Sequence, residues 1–148
     1  MDEFDLRIRN HLYASFVRNG TAAGVSEAAE ALQLPGAVVS DAYRRLHDAH
    51  ALVLEPDGGE IRMLNPFSAV ETPHRVEAGG RSWFANCAWD ALGIPAALHT
   101  DGVIESSCPD CGERLELAIR DGELVRGAEL LVHFVVPARR WWDDIAFT

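Results

Sequence analysis

Two short patterns in the 148-residue chain hold side chains able to do chemistry. In "ANCAWDAL", Cys87 stands three residues before Asp90, where an apolar segment, "AWDALGIPAAL", begins. If a helix starts at about Cys87, its unpaired backbone N–H groups and its dipole favour an anion, so the thiol pKa should fall. Asp90 would lie on the same side of the first turn. Two acidic groups at close range resist ionising together, so one keeps a proton. The pair would then combine a soft nucleophile with a proton donor. A plainer reading is equally specific: an acidic residue three positions after a cap is the spacing of a capping box, with Cys87 in the usual place of Ser or Thr.

The second pattern is "SSCPDCGERL", where Cys108 and Cys111 form a C-x-x-C pair followed by Gly112. This is half of a zinc knuckle, and a structural zinc site needs four ligands. With no second C-x-x-C, Cys87, His99 or His133 would have to complete it. Zinc is thus a cofactor the pattern allows without demanding. The alternative is a tight turn between strands, shaped by Pro109, Asp110 and Gly112. His133 lies in an apolar run that suits a core position, and His47 and His50 fall near a helix end. Trp141 and Trp142, with Asp143 and Asp144, would either close over a pocket or pack a chain end.

These residues need elements to position them. "FDLRIRNHLYASFV" repeats Phe4, Ile8, Leu12 and Phe16 every four residues, a helical stripe ended by Gly20. "VSEAAEALQLP" predicts a second helix capped by Ser26, with Leu32 and Leu34 facing inward. "PGAVVSDAYRRLHDAHAL" predicts a third, with Pro35 in its first turn and Val38, Val39, Ala42, Tyr43 and Leu46 on its apolar face. "ALVLEPDGGEIRML" then reads as a hairpin turning at Asp57, Gly58 and Gly59. Three helices and a hairpin are the order of a winged helix-turn-helix. After the connector "NPFSAVETPH", short strands surround the "AWDALGIPAAL" helix, which Pro95 should stop or kink. "ELLVHFVVP" reads as a last strand. The expected fold class is α+β: a winged-helix-like helical module at 1–65, then a small mixed β-sheet with one central helix at 66–148.

Charge narrows the partners. The net charge is −10, and residues 1–60 hold ten acidic residues against five arginines. Such a surface repels a phosphate backbone, so DNA is an unlikely partner despite "SDAYRRLHD" in the recognition-helix position. An odd count of three cysteines points to a reducing, cytoplasmic setting. No apolar run approaches a membrane span, and "MDEFDLRIRNHL" has no signal-peptide pattern.

Taken together, "ANCAWDALGIPAAL", "SSCPDCGERLEL" and "VVPARRWWDDIAFT" resemble the alkylmercury (organomercurial) lyases, the MerB family, whose N-terminal module is winged-helix-like. The resemblance implies protonolysis of carbon–mercury bonds, with mercury as substrate and product ion, no required cofactor, and cellular thiols as partners. It implies that Cys87 is the thiolate ligand and Asp90 the proton donor. Cys108 falls near a further family cysteine, while Cys111 has no assured counterpart. All three cysteines, Cys87, Cys108 and Cys111, are candidate metal ligands. The family's second active-site cysteine lies beyond the segment resembling "WWDDIAFT", so the expected core is short at its C-terminal end. An open sheet edge there would allow pairing with a second copy, a homodimer. The competing expectation is a non-catalytic, thiol-based mercury or zinc binding or sensor protein.

Overall fold

The computed structural model describes residues 1–145, so Ala146, Phe147 and Thr148 of the "WWDDIAFT" segment lie outside the described residues. The chain divides into two compact units, Met1–Val70 and Glu71–Thr148.

The first unit is built on helices α1 (Glu3–Asn19), α2 (Val25–Leu32) and α3 (Gly36–Asp48). Ile8, Leu12 and Phe16 of the α1 stripe are fully buried, while Phe4 is only half-buried at the helix start. The Asp2 side chain accepts the Asp5 N–H at the N-terminus of α1, and Gly20 closes its other end at φ 78°. That left-handed conformation costs glycine nothing. In α2 the cap is Gly24 rather than the expected Ser26, because the helix already begins at Val25 and leaves Ser26 inside the first turn. Leu32 and Leu34 are half-buried. Along α3, Val39, Ala42, Tyr43 and Leu46 are buried and Val38 is exposed. The Tyr43 hydroxyl donates to the Ala23 carbonyl at 2.9 Å, which satisfies the polar tip of a buried ring.

Three short antiparallel strands complete this unit: β1 (Val53–Leu54), β2 (Ile61–Leu64) and β3 (Phe67–Ser68). Phe67 stacks on Phe16 with ring centroids 5.3 Å apart. The Arg44 and Arg45 pair on α3 does not form a free basic face. Arg44 pairs with Asp41 and Arg45 with Asp5, each at 2.6 Å.

The second unit is a sheet in the order β5 (Arg81–Ala85), β4 (Arg75–Ala78), β6 (Gly102–Ser107), β7 (Arg114–Arg120), β8 (Glu123–Arg126). Every described pair in it is antiparallel, which narrows the expected mixed sheet. Helix α4 (Ala88–Leu98) connects β5 to β6 and packs on β4, β5 and β6. The core is Val76, Ala78, Trp83, Ala85, Ala91, Ile94 and Ile104. Strand alternation supplies it: Val76 and Ala78 point inward while Arg75 and Glu77 are exposed.

Two expectations are narrowed or corrected here. Of the stop or kink expected at Pro95, the stop does not occur, because α4 runs on to Leu98. Proline removes one N–H, but the last turn is closed by His99 in a left-handed cap and by the Thr100 N–H bonded to the Pro95 carbonyl. The apolar run "ELLVHFVVP" is not a strand. Gly127, at φ 84°, turns the chain after β8, and the Leu130 N–H bonds back to the Gly127 carbonyl. A continuous apolar run becomes a strand only where it finds a neighbour to pair with, and this one is left with Leu131 and Val135 exposed. A short 3₁₀ helix, Ala138–Asp143, follows.

Candidate functional site at the mouth of helix α4

The approach to α4 is held by the sheet. The Ala85 N–H bonds to the His74 carbonyl at 2.9 Å, and the Thr72 hydroxyl donates to the Ala85 carbonyl at 2.7 Å. The chain therefore leaves β5 with its direction set. Cys87 takes an extended conformation, φ −148° and ψ 177°, and becomes the N-cap residue of α4. Its sulfur accepts the Asp90 N–H at 3.4 Å, the role a Ser oxygen usually fills. The Cys87 thiol in turn donates to Asp90 Oδ2 at 3.5 Å. Thus the structure brings these two residues together on one side of the first turn.

Burial alters the expected electrostatics. The helix-mouth argument predicts a lowered thiol pKa, but the Cys87 thiol is pushed up to about 11. Desolvation of the half-buried sulfur is the main cause, and the neighbouring Asp90 carboxylate adds to it. Backbone N–H groups of Asp90 and Trp89 act in the opposite direction and do not outweigh it. In the resting site Cys87 is therefore a thiol, not the thiolate expected from the helix dipole. The Asp90 carboxyl is also raised, again chiefly by burial, although hydrogen bonds from Cys87 and from the Asn86 side chain favour its charged form. A thiol that donates to a carboxylate of raised basicity has a proton acceptor already in place when a soft metal takes the sulfur.

A model of the alkylmercury lyase family matches residues 67–148, more than half of the chain. The chain belongs to the alkylmercury lyase family. Among solved structures, it is similar to the mercury-bound form of MerB2, with a TM-score of 0.69 and 27% sequence identity. The match covers 85% of this chain and 60% of that one, so the chain spans less than two thirds of that protein's length. Among curated proteins, none matches.

Within this family member the other candidate ligands lie apart from any large cluster. Cys108 and Cys111 sit in the turn between β6 and β7, with Cys108 half-exposed and Cys111 exposed. The Cys108 thiol is held below its ordinary value, first by the Cys111 N–H, then by the Asp110 N–H and the Cys111 thiol. Among the described residues no three His, Cys, Asp or Glu side chains are gathered to hold a metal ion. The four-ligand zinc site that Cys87, His99 or His133 would have completed is therefore not assembled there. His133 is exposed in the irregular run, not packed in a core strand.

Three neighbours, Asn86, Trp89 and Phe134, were not legible as site residues. Asn86 reaches Asp90 through its side chain, a contact that the adjacency in "NCAWD" hints at without specifying. Trp89 stands exposed on the first turn of α4. Its ring meets Phe134 edge-on at 6.4 Å, and Phe134 lies 4.9 Å from Trp141. The Trp141 indole N–H donates to the Val136 carbonyl at 2.9 Å. This aromatic row stands beside the helix mouth, and nothing in the spacing of residues 89, 134 and 141 announces it.

Proposed function

We propose that the chain is an organomercurial lyase-type protein that cleaves carbon–mercury bonds by protonolysis at Cys87 and Asp90. The contact between the Cys87 thiol and Asp90 Oδ2 carries this reading, supported by membership of the alkylmercury lyase family. Mercury is soft and prefers sulfur to oxygen or nitrogen. When an organomercurial cation reaches Cys87, the sulfur binds mercury, the S–H bond breaks, and Asp90 takes the proton. A cellular thiolate supplies a second sulfur and more electron density. The carbon–mercury bond then breaks, its electron pair stays on carbon, and the Asp90 carboxylic acid delivers its proton there. The hydrocarbon leaves, Asp90 is again a carboxylate, and mercuric ion remains between Cys87 and the external thiolate. Further thiol carries the ion away.

The three helices and the β1–β2 hairpin of the first unit serve in this proposal as a winged-helix-like scaffold rather than a DNA reader. Arg44 and Arg45 are already committed to Asp41 and Asp5. Among the described residues no helix is long and apolar enough to cross a membrane. We place the protein's work in a reducing compartment such as the cytoplasm, where thiols are supplied.

The test is hydrocarbon release from a phenylmercury–thiol adduct under excess thiol. The wild-type protein should turn over. Cys87→Ser should not cleave, and Asp90→Ala should lose about 10²–10⁴-fold in release, the usual contribution of a general acid. Absence of turnover in the wild type refutes the lyase reading. One observation favours a second reading, mercury binding without cleavage: the turn thiols do not join Cys87 and Asp90 in a cluster of three among the described residues. Mercuric ion uptake that falls on Cys87→Ser substitution, with no hydrocarbon release by the wild type, would establish it.

A further inference from the structure

The β6–β7 turn places two thiols at its tip by its own hydrogen bonds. The Cys108 N–H bonds to the Glu113 carbonyl and the Gly112 N–H to the Cys108 carbonyl, both at 2.9 Å. Gly112 takes φ 74°, a left-handed conformation that side-chain-bearing residues adopt at a cost. This closes the loop over Cys108–Gly112 and holds Cys108 and Cys111 three residues apart in one tight turn between β6 and β7. Both cysteines are free and solvent-accessible. A plain reversing turn requires no thiol at either position.

We infer that Cys108 and Cys111 form a second, separate site: a dithiol chelate for a soft, two-coordinate cation of the mercuric class. Two sulfurs satisfy such an ion, whereas zinc needs four ligands, and no third His, Cys, Asp or Glu joins them among the described residues. Binding replaces two S–H bonds by two S–metal bonds and releases two protons to solvent. The second thiol closes the chelate within one molecule, at an effective concentration far above that of a competing free monothiol. The inference does not rest on the reading of Cys87 and Asp90, and its test removes Cys87.

The Cys87→Ser protein is loaded with mercuric chloride, challenged with excess monothiol and desalted. It should retain one mercuric ion per chain, and adding Cys108→Ser or Cys111→Ser should lower retention by about tenfold or more. Equal retention by the single-thiol variants overturns the site. Far-UV circular dichroism verifies that the variants are folded. The unaltered protein gives an independent measurement. Mercuric chloride should protect Cys108 and Cys111 from iodoacetamide in parallel, as read by peptide mass, and protection of one without the other overturns the chelate. Zinc chloride in the same challenge should not be retained, and its retention would overturn a two-ligand site.

Discussion

Replacing Asp90 by Asn tests the electrostatics of the helix mouth directly. The substitution keeps the side chain's size and removes its charge. With the carboxylate in place, the Cys87 thiol stands at about 11, against an ordinary 9.0. Desolvation contributes most of that rise, and Asp90 contributes through charge repulsion and by accepting the S–H. Two full charges about 4 Å apart repel by about 4 kcal/mol at an effective dielectric of about 20, an upper bound for a half-exposed pair. Because Asp90 ranks behind burial, its share is smaller, and the Cys87 titration midpoint should fall by about one pH unit, a tenfold change in thiolate. At pH 8 the thiolate fraction then rises from roughly one in a thousand to roughly one in a hundred. The assay is the rate of iodoacetamide alkylation against pH, resolved by peptide mass. Cys87 should react about tenfold faster in Asp90→Asn at pH 8, while Cys108 and Cys111 keep their rates. An unmoved or raised midpoint would refute the account, because it would mean that no carboxylate charge acts on the sulfur.

Two further perturbations probe the scaffolds. The Arg45 guanidinium holds the buried Asp5 carboxyl below the usual carboxylate range. A depressed folded pKa contributes stability that is present above the unfolded value of 3.8 and lost as pH falls through the folded one. Arg45→Ala should therefore lower the thermal midpoint at pH 7 and have little effect near pH 2, and an equal loss at both would exclude the ion pair as the cause. At the base of α4, a Cβ on Gly102 would lie 3.0 Å from Pro95 Cγ and 3.2 Å from the Glu77 carbonyl oxygen. Gly102→Ala should cost about 1–3 kcal/mol by overpacking, measured by urea unfolding, and no change would mean that α4 yields freely against β6.

Much of the fold was legible because it depends on local periodicity. Ile8, Leu12 and Phe16 recur at the helical period and are buried, and Gly20 ends α1 where a left-handed residue is needed. The turn expected at Asp57, Gly58 and Gly59 joins β1 to β2, with Gly58 at φ 72°. "ELLVHFVVP" is not legible because a continuous apolar, β-branched run states a preference for pairing but not whether a neighbour accepts it. Ser26 is a good cap by residue type, but the helix starts two residues earlier with Gly24 as its cap, which residue type alone does not reveal.

At the site the division is sharper. The three-residue spacing of Cys87 and Asp90, at the start of an apolar helix, is a covalent fact, and helix geometry turns it into a sulfur-to-carboxylate contact with little help from the rest of the chain. The same holds for Cys108 and Cys111, whose closeness follows from a four-residue turn. What tertiary structure alone decided is the protonation of the sulfur. The helix dipole is a local property and favours thiolate, but desolvation depends on what packs around the helix mouth, and here it is the larger effect. Tertiary structure also decided that Trp89, Phe134 and Trp141 stand in one row, because residues so far apart along the chain meet only through folding.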